Sequence, residues 1–197
     1  MGLIAKEGSN VIPVSEGVYQ AICQSIYDLG TQFSEKFGKS VHQCIVIWEI
    51  PEERIEIQRD DKTLDLPRVV SKKYTMSLNE KANLRKDLQS WRGKTFTPEE
   101  LVGFDITKLL GVNCMIQIIH TKTDSKTYAN IASITPLYKG IEKKQPENPT
   151  VIFDLSKDRE IPENTPKWIK ELIEQSAEWS ALQPEVKDEV AEGSVPF

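Results

Sequence analysis

Three short stretches of this chain set cations beside aromatic rings. Phe33, Lys36, Phe37 and Lys39 fall close together, Lys72, Lys73 and Tyr74 are consecutive, and Lys122, Lys126 and Tyr128 flank a polar turn. A lysine neutralises a phosphate, and a flat ring stacks on any base because every base has a π-face, so these residue types suit a single-stranded nucleic acid. Trp48 adds a ring inside an apolar run, and Arg85 adds a cation. Aromatics in strands usually pack in cores, so Trp48 and Tyr74 each carry a packing reading beside the stacking one.

Catalytic chemistry has less to work with. His42 and His120 are the two imidazoles, and neither lies near a cysteine at metal-ligand spacing. Glu49, Glu52 and Glu53 cluster around Pro51. With no third group to complete a site, they read as a solvated strand end before an acid–base pair or the metal site of a nuclease. The sequence holds no Walker loop, dinucleotide fingerprint or nucleophile elbow. The expectation is a protein that is not an enzyme and needs no metal or cofactor.

The charge is divided along the chain. The net charge is -5, yet residues 141–197 hold 13 Asp/Glu against 7 Lys/Arg, so the preceding body is close to neutral. Within that body Lys72, Lys73, Lys81, Arg85, Lys86, Arg92 and Lys94 face only Glu80 and Asp87 over residues 71–94. A basic patch on a neutral body with an acidic tail is the asymmetry of a polyanion binder.

Cys23, Cys44 and Cys114 are an odd number set in apolar runs, which reads as reduced packing residues and a cytoplasmic location. MGLIAKEGSN has no apolar stretch of signal-peptide length, and Lys6 breaks the myristoylation pattern. No run approaches the roughly 20 apolar residues of a membrane span, so no membrane partner is expected.

The elements that must position these residues follow from periodicity. GVYQAICQSIYDLG alternates as a strand, with Tyr19, Ala21, Cys23, Tyr27 and Leu29 on one side and Val18, Ile22 and Ile26 on the other. VHQCIVIWEI is a second strand ending at Pro51, residues 51–67 form a charged excursion that could hold a small hairpin, and SKKYTMSLN is a third strand. Asn79 caps a helix with Leu84, Leu88 and Trp91 on one face and Lys81, Arg85 and Arg92 in a neighbouring stripe, and Thr97-Pro98-x-Glu100 opens a second helix as a capping box. NCMIQIIHTKTDSKTYANIASITPL supplies two more strands around Asp124 and Ser125. After a polar linker, VIFDLS could add an edge strand, and Thr165-Pro166 starts one helix through Leu182.

Strand, strand, strand, helix, strand, strand is the order of a five-stranded OB-fold Greek-key barrel with its helix between strands 3 and 4. The predicted class is therefore mainly β with helices, with a C-terminal helix and a disordered acidic tail. The boundaries are an N-terminal extension over 1–15, the barrel over 16–140, a linker and helix packed on it over 141–183, and the tail over 184–197. The aromatic and basic stretches fall on strands 2 and 3 and on the two loops that such barrels use for oligonucleotides.

The run from GVYQAICQSIYDLGTQF through WEIPEE, SKKYTMSLNEKANLRKDLQSWRGKTFTPEEL, FDITKLLG and YANIASITPL resembles a family of bacteriophage and prophage replication or recombination accessory proteins, OB-fold single-stranded DNA-binding proteins. It covers residues 16–140, most specifically Lys72 to Phe104. The tip is similar to that of bacterial single-stranded DNA-binding proteins: Asp188, Glu189 and Glu192 match the acidic tail, and Val195, Pro196 and Phe197 match the apolar end. Gly193 and Ser194 stand where those proteins have acids. The resemblance implies a sequence-nonspecific single-stranded DNA-binding protein of phage replication, recombination or repair, in the host cytoplasm, that recruits partner proteins through its tip. The alternative is a protein-interaction adaptor whose barrel binds no nucleic acid. Oligomeric state, from monomer to homo-oligomer, and DNA over RNA preference stay open at this level.

Overall fold

Apolar residues on both faces of the first two strands require two separate covers, and the chain supplies both. The computed structural model describes residues 12–35, 38–59, 62–124 and 126–182. It is mainly β. Strands β1 (Gly17–Ser34), β2 (Lys39–Arg59), β3 (Lys62–Thr75), β4 (Asn113–Lys122), β5 (Thr127–Pro136) and β6 (Val151–Phe153) accompany helices α1 (Asn83–Arg92), α2 (Pro98–Val102), α3 (Lys167–Glu174) and α4 (Ala177–Leu182). The first five strands form an antiparallel path β3-β2-β1-β4-β5, and β6 joins β1 in parallel at Ser25–Tyr27. Among the described residues no ladder joins β3 to β5, so the sheet is unclosed. The two path ends nevertheless meet, with Lys72 Nζ donating to the backbone oxygen of Ile131 at 3.4 Å.

A bulge in β1 decides which face each residue takes. Cys23 opposes Trp48 and Ser25 opposes Ile47, which leaves Gln24 as an extra residue. One inserted residue reverses the alternation beyond it. Ala21 and Cys23 therefore share the first core with Ile26, while Tyr27 and Leu29 turn to the second. This corrects the uniform alternation expected from the sequence. The first core joins Cys44, Val46, Trp48 and Ile50 of β2 to Leu84, Leu88 and Trp91 of α1. The second joins Ile45 and Ile47 to Val151 and Phe153 of β6 and Ile169 and Ile173 of α3.

Several boundaries also move. β2 does not end at Pro51 but continues as a long two-stranded arm with β3, because a register shift between Ile50 and Arg54 takes the proline out of the ladder. Asn79 caps a turn rather than α1: its Oδ1 accepts from Lys81 N at 3.2 Å, and Ala82 stands at the N-cap without a side-chain bond. The capping box of α2 forms as read, with Glu100 N donating to Thr97 Oγ1 and Thr97 N donating to Glu100 Oε2. The single C-terminal helix is two, because buried Ser176 accepts from Trp179 N at 3.1 Å and starts α4. α4 then docks on β1, where Thr31 N and Oγ1 donate to Glu178 at 2.7 and 2.5 Å. Gly30 is required there twice over, since its φ is 65° and a Cβ would stand 2.7 Å from Glu178 Oε2 and Ser176 Cβ.

Residues 142–149, expected as a plain linker, form a strap seated on buried polar side chains. Glu49 accepts from Glu147 N and Asn148 N at 2.8 Å and from Asn148 Nδ2 at 2.7 Å. Gln20 Nε2 donates to Glu142 O at 2.8 Å, Asn113 Nδ2 donates to Lys144 O at 2.9 Å, and Gln24 Nε2 donates to Pro149 O. Glu49 is thus spent on structure and is unavailable as the acid or base of the Glu49–Glu53 cluster. The cysteines are free and buried, and burial pushes the Cys44 thiol up to about 12. Among the described residues no helix is long and apolar enough to cross a membrane.

Two stability outcomes follow. Glu49→Gln turns an amide N–H toward strap donors that now meet an acceptor, and leaving such a buried donor unsatisfied is expected to cost about 1–3 kcal/mol in chemical denaturation. Burial raises the Glu178 carboxyl, but the Thr31 donors and the His42 ring outweigh it and hold it below its ordinary value. A carboxyl depressed on folding contributes stability above its unfolded value of about 4.3, and the contribution is lost as pH falls through the folded value. Glu178→Gln is therefore expected to flatten the stability profile below about pH 4.3, read by denaturant titrations across that range.

Candidate nucleic-acid interface

Where β1 turns into β2 and β3 turns toward α1, the surface opens into a cleft of about 720 Å³. Strand alternation builds its wall. Lys39, Val41 and Gln43 are alternate residues of β2, Lys73 and Thr75 are alternate residues of β3, and Thr75 lies opposite Gln43 in the ladder. Ser34 closes one end, and the turn Ser77–Asn83 supplies Ser77, Asn79, Lys81 and Asn83. Within that turn Asn79 N donates to Ser77 Oγ at 3.1 Å, and just before it Met76 N ties the chain to β2 by donating to His42 O at 2.8 Å. Lys39, Lys73 and Lys81 are exposed, and among the described residues none of them pairs with a carboxylate. Three ammonium groups over a hydroxyl- and amide-lined floor give the cleft a positive charge that suits a polyanion.

The cations next to these have other work. Lys72 alternates with Lys73 and points inward, where its Nζ lies 2.6 Å from Asp87 Oδ2 and 5.6 Å from the Tyr74 ring centroid. Arg85 donates to Gln89 Oε1 at 3.1 Å and Leu78 O at 3.2 Å, which ties α1 to the preceding turn. Arg92, expected on the same basic stripe, lies over the rings of Phe96 and Phe104 at 4.5 and 5.0 Å and pairs with Glu100. Lys72 and Arg85 are corrected from phosphate contacts to supports of the β3–α1 junction.

Trp48 and Tyr74 are corrected as well. Trp48 is 1% exposed and packs on Trp91 at 5.6 Å, and Tyr74 is 3% exposed with its hydroxyl donating to Asp87 at 2.7 Å. Burial, with Asp87 beside it, pushes the Tyr74 hydroxyl far above its usual range, so it stays a neutral donor. Neither ring offers a face to a base. Both sit at inward positions of β2 and β3 and belong to the first core.

The remaining sites divide into separate places. Phe33 is 69% exposed on the hairpin whose Ser34 and Lys39 line the cleft. Lys36 and Phe37 lie outside the described residues, as do Asp188, Glu189, Glu192, Val195, Pro196 and Phe197. Lys122 and Lys126 are exposed on the β4–β5 hairpin, and Tyr128 beside them is 49% exposed. They do not line the cleft. Gly17 pairs with Ile118 and Ser34 with Lys39, so this second cluster stands at the other end of β1. The sequence reading missed Gln43, Thr75, Ser77, Asn79 and Asn83, and placed Lys81 on a helix stripe. For Gln43 the one available signal was an amide at the start of the apolar run Cys44–Trp48. Among the described residues no group of three His, Cys, Asp or Glu is placed to hold a metal ion.

No family model matches this chain, and no curated protein matches it.

The two core aromatics are separable by mutation. Trp48→Ala is expected to cost about 3–5 kcal/mol of stability through the cavity it leaves. Tyr74→Phe, which removes one hydrogen bond while Lys72 still pairs with Asp87, is expected to cost about 0.5–1.5 kcal/mol. Chemical denaturation of both variants checks the assignment; an unchanged midpoint for Trp48→Ala would return that ring to the surface.

Proposed function

We propose that this protein binds single-stranded DNA without sequence preference, coating exposed strands in phage replication or recombination. The observation that carries the reading is the cleft in which Lys39, Lys73 and Lys81 stand, unpaired among the described residues, above a polar floor on β2 and β3. The fold supports it. Three antiparallel strands, a helix and two further strands, with β1 between β2 and β4 and with β3 and β5 meeting without a ladder, are the order we read as a partly open OB-type barrel, a fold whose strands 2 and 3 receive oligonucleotides. Phe33 at the β1–β2 hairpin and Tyr128 at the β4–β5 hairpin then offer stacking rings at either end of the track. The acidic segment 184–197 competes with DNA for the groove as a tethered anion, and its apolar residues Val195, Pro196 and Phe197 recruit replication or repair proteins.

The test is a titration of fluorescent single-stranded oligonucleotide at several salt concentrations. Binding is expected to weaken as salt rises, and replacing Lys39, Lys73 and Lys81 with Ala is expected to reduce the logarithmic salt slope by about 0.7 for each phosphate that is no longer neutralised. Lys72→Ala is expected to lower stability and leave the slope intact. Salt-independent or absent binding by the full chain would overturn the proposal in favour of a protein-binding adaptor. Removing residues 184–197 is expected to tighten binding, most visibly at low salt where screening is weak; weaker binding by the truncated chain would overturn the competing role of the tail.

A further inference from the structure

Gln43 is out of keeping with its surroundings. It is 8% exposed, it neighbours the apolar Cys44 and Ile45, and its Oε1 is buried with no hydrogen-bond partner. An orphaned buried carbonyl is unfavourable by about 1–3 kcal/mol, and nearly all such groups in folded proteins find a partner. Gln43 lies in the wall of the cleft, opposite Thr75 and between the levels of Lys39 and Lys73. The carboxamide carries its oxygen and its NH₂ group side by side, and the torsion that turns it is broad and two-fold, so the pair can be turned toward the cleft in either order.

We infer that Gln43 is a base anchor: its carboxamide pairs with the Watson–Crick edge of one unpaired nucleobase in the cleft, while Lys39, Lys73 and Lys81 hold the flanking phosphates. The inference rests on the single-strand reading and adds the group that enforces it. A primary amide carries one donor and one acceptor side by side. Every base presents the complementary pair on its pairing edge: adenine its N6 amino group and N1, cytosine its N4 amino group and N3, guanine N1–H and O6, thymine N3–H and O4. One glutamine therefore engages any base without choosing among them. In a duplex those same edges are consumed by pairing. The anchor thus separates single from double strands, which lysines meeting phosphates cannot do, because phosphates carry no information about pairing. Such a device suits the cleft, since Tyr74, the one aromatic residue lining it among the described residues, is turned into the core.

The experiment titrates the full chain by fluorescence anisotropy against three labelled strands of equal length, longer than the roughly 4–16 nucleotides one such domain covers. They are an oligothymidylate, an abasic strand with the same phosphates, and a duplex. The wild type is expected to bind oligothymidylate most tightly. Gln43→Leu is expected to bind it about tenfold more weakly with an unchanged salt slope, because the variant gives up two hydrogen bonds to the base and keeps every lysine that meets a phosphate. The same variant should bind the abasic strand like the wild type and melt at the same or a higher temperature, because an orphaned polar group has been replaced by an apolar one. Lys73→Ala is expected to show the opposite pattern, with a shallower salt slope and an unchanged ratio between base-bearing and abasic strands. If Gln43→Leu fails to fold, Gln43→Met takes its place, and the wild-type comparison of base-bearing and abasic strands needs no variant. Equal binding of those two strands by the wild type, or oligothymidylate affinity unaltered in the variant, overturns the anchor and leaves the single-strand reading standing. Failure of the wild type to bind any of the three overturns both.

Discussion

The fold depends on one constraint: β1 and β2 are apolar on both faces, and each face needs a cover. A half-buried antiparallel sheet leaves polar residues on its solvent side. Here Ile45 and Ile47 alternate with Cys44, Val46 and Trp48, so neither side can face water. The helix between β3 and β4 covers one side with Leu84, Leu88 and Trp91. The C-terminal segment covers the other with Phe153, Ile169 and Ile173. Residues 141–182 are thereby part of the folded body.

Bringing that segment back across the sheet puts backbone polar groups against a nearly dry surface, where each must find a partner. The buried side chains Glu49, Gln20, Gln24 and Asn113 serve this purpose, meeting backbone groups of the strap between Glu142 and Pro149. A charged acceptor gives bonds roughly twice as strong as a neutral one, which makes Glu49 the firmest of these seats. The same economy appears at α4, where Glu178 meets Thr31 beside the one glycine whose missing Cβ leaves room for it.

The proposed interface is what this packing leaves over. Covering the second face with α3, α4 and β6 occupies the middle of β1 and β2 and leaves the ends of β2 and β3 open beside the β3–α1 turn. The cations there sort by strand parity. Lys72 and Tyr74 fall on the inward side and are absorbed, with Asp87, into the junction with α1, while Lys73 and Thr75 fall on the outward side and line the cleft. One residue of offset separates a structural lysine from a candidate ligand contact.

Strand periodicity, turn residues and the capping box were enough to place five of the strands, the helix between β3 and β4 and its buried face of Leu84, Leu88 and Trp91, because these features are local: period two, period three and a half, and a side chain bonding its own backbone. The basic run over residues 71–94 was equally plain as composition. The tertiary structure alone decided the rest. The bulge at Gln24 reverses which face Tyr27 and Leu29 take, and an extra residue shows only when the partner strand is counted against it. Pro51 looks like a stop until the register shift beside it is seen. Trp48 and Tyr74 have the composition of a stacking platform and the position of core, and position follows from what α1 brings against them. At Gln43 the sequence shows only an amide between His42 and an apolar run, since an orphaned oxygen is a property of its neighbours in space. Charge and period are written in single residues and short windows, whereas burial, register and hydrogen-bond satisfaction belong to pairs of residues far apart in the chain.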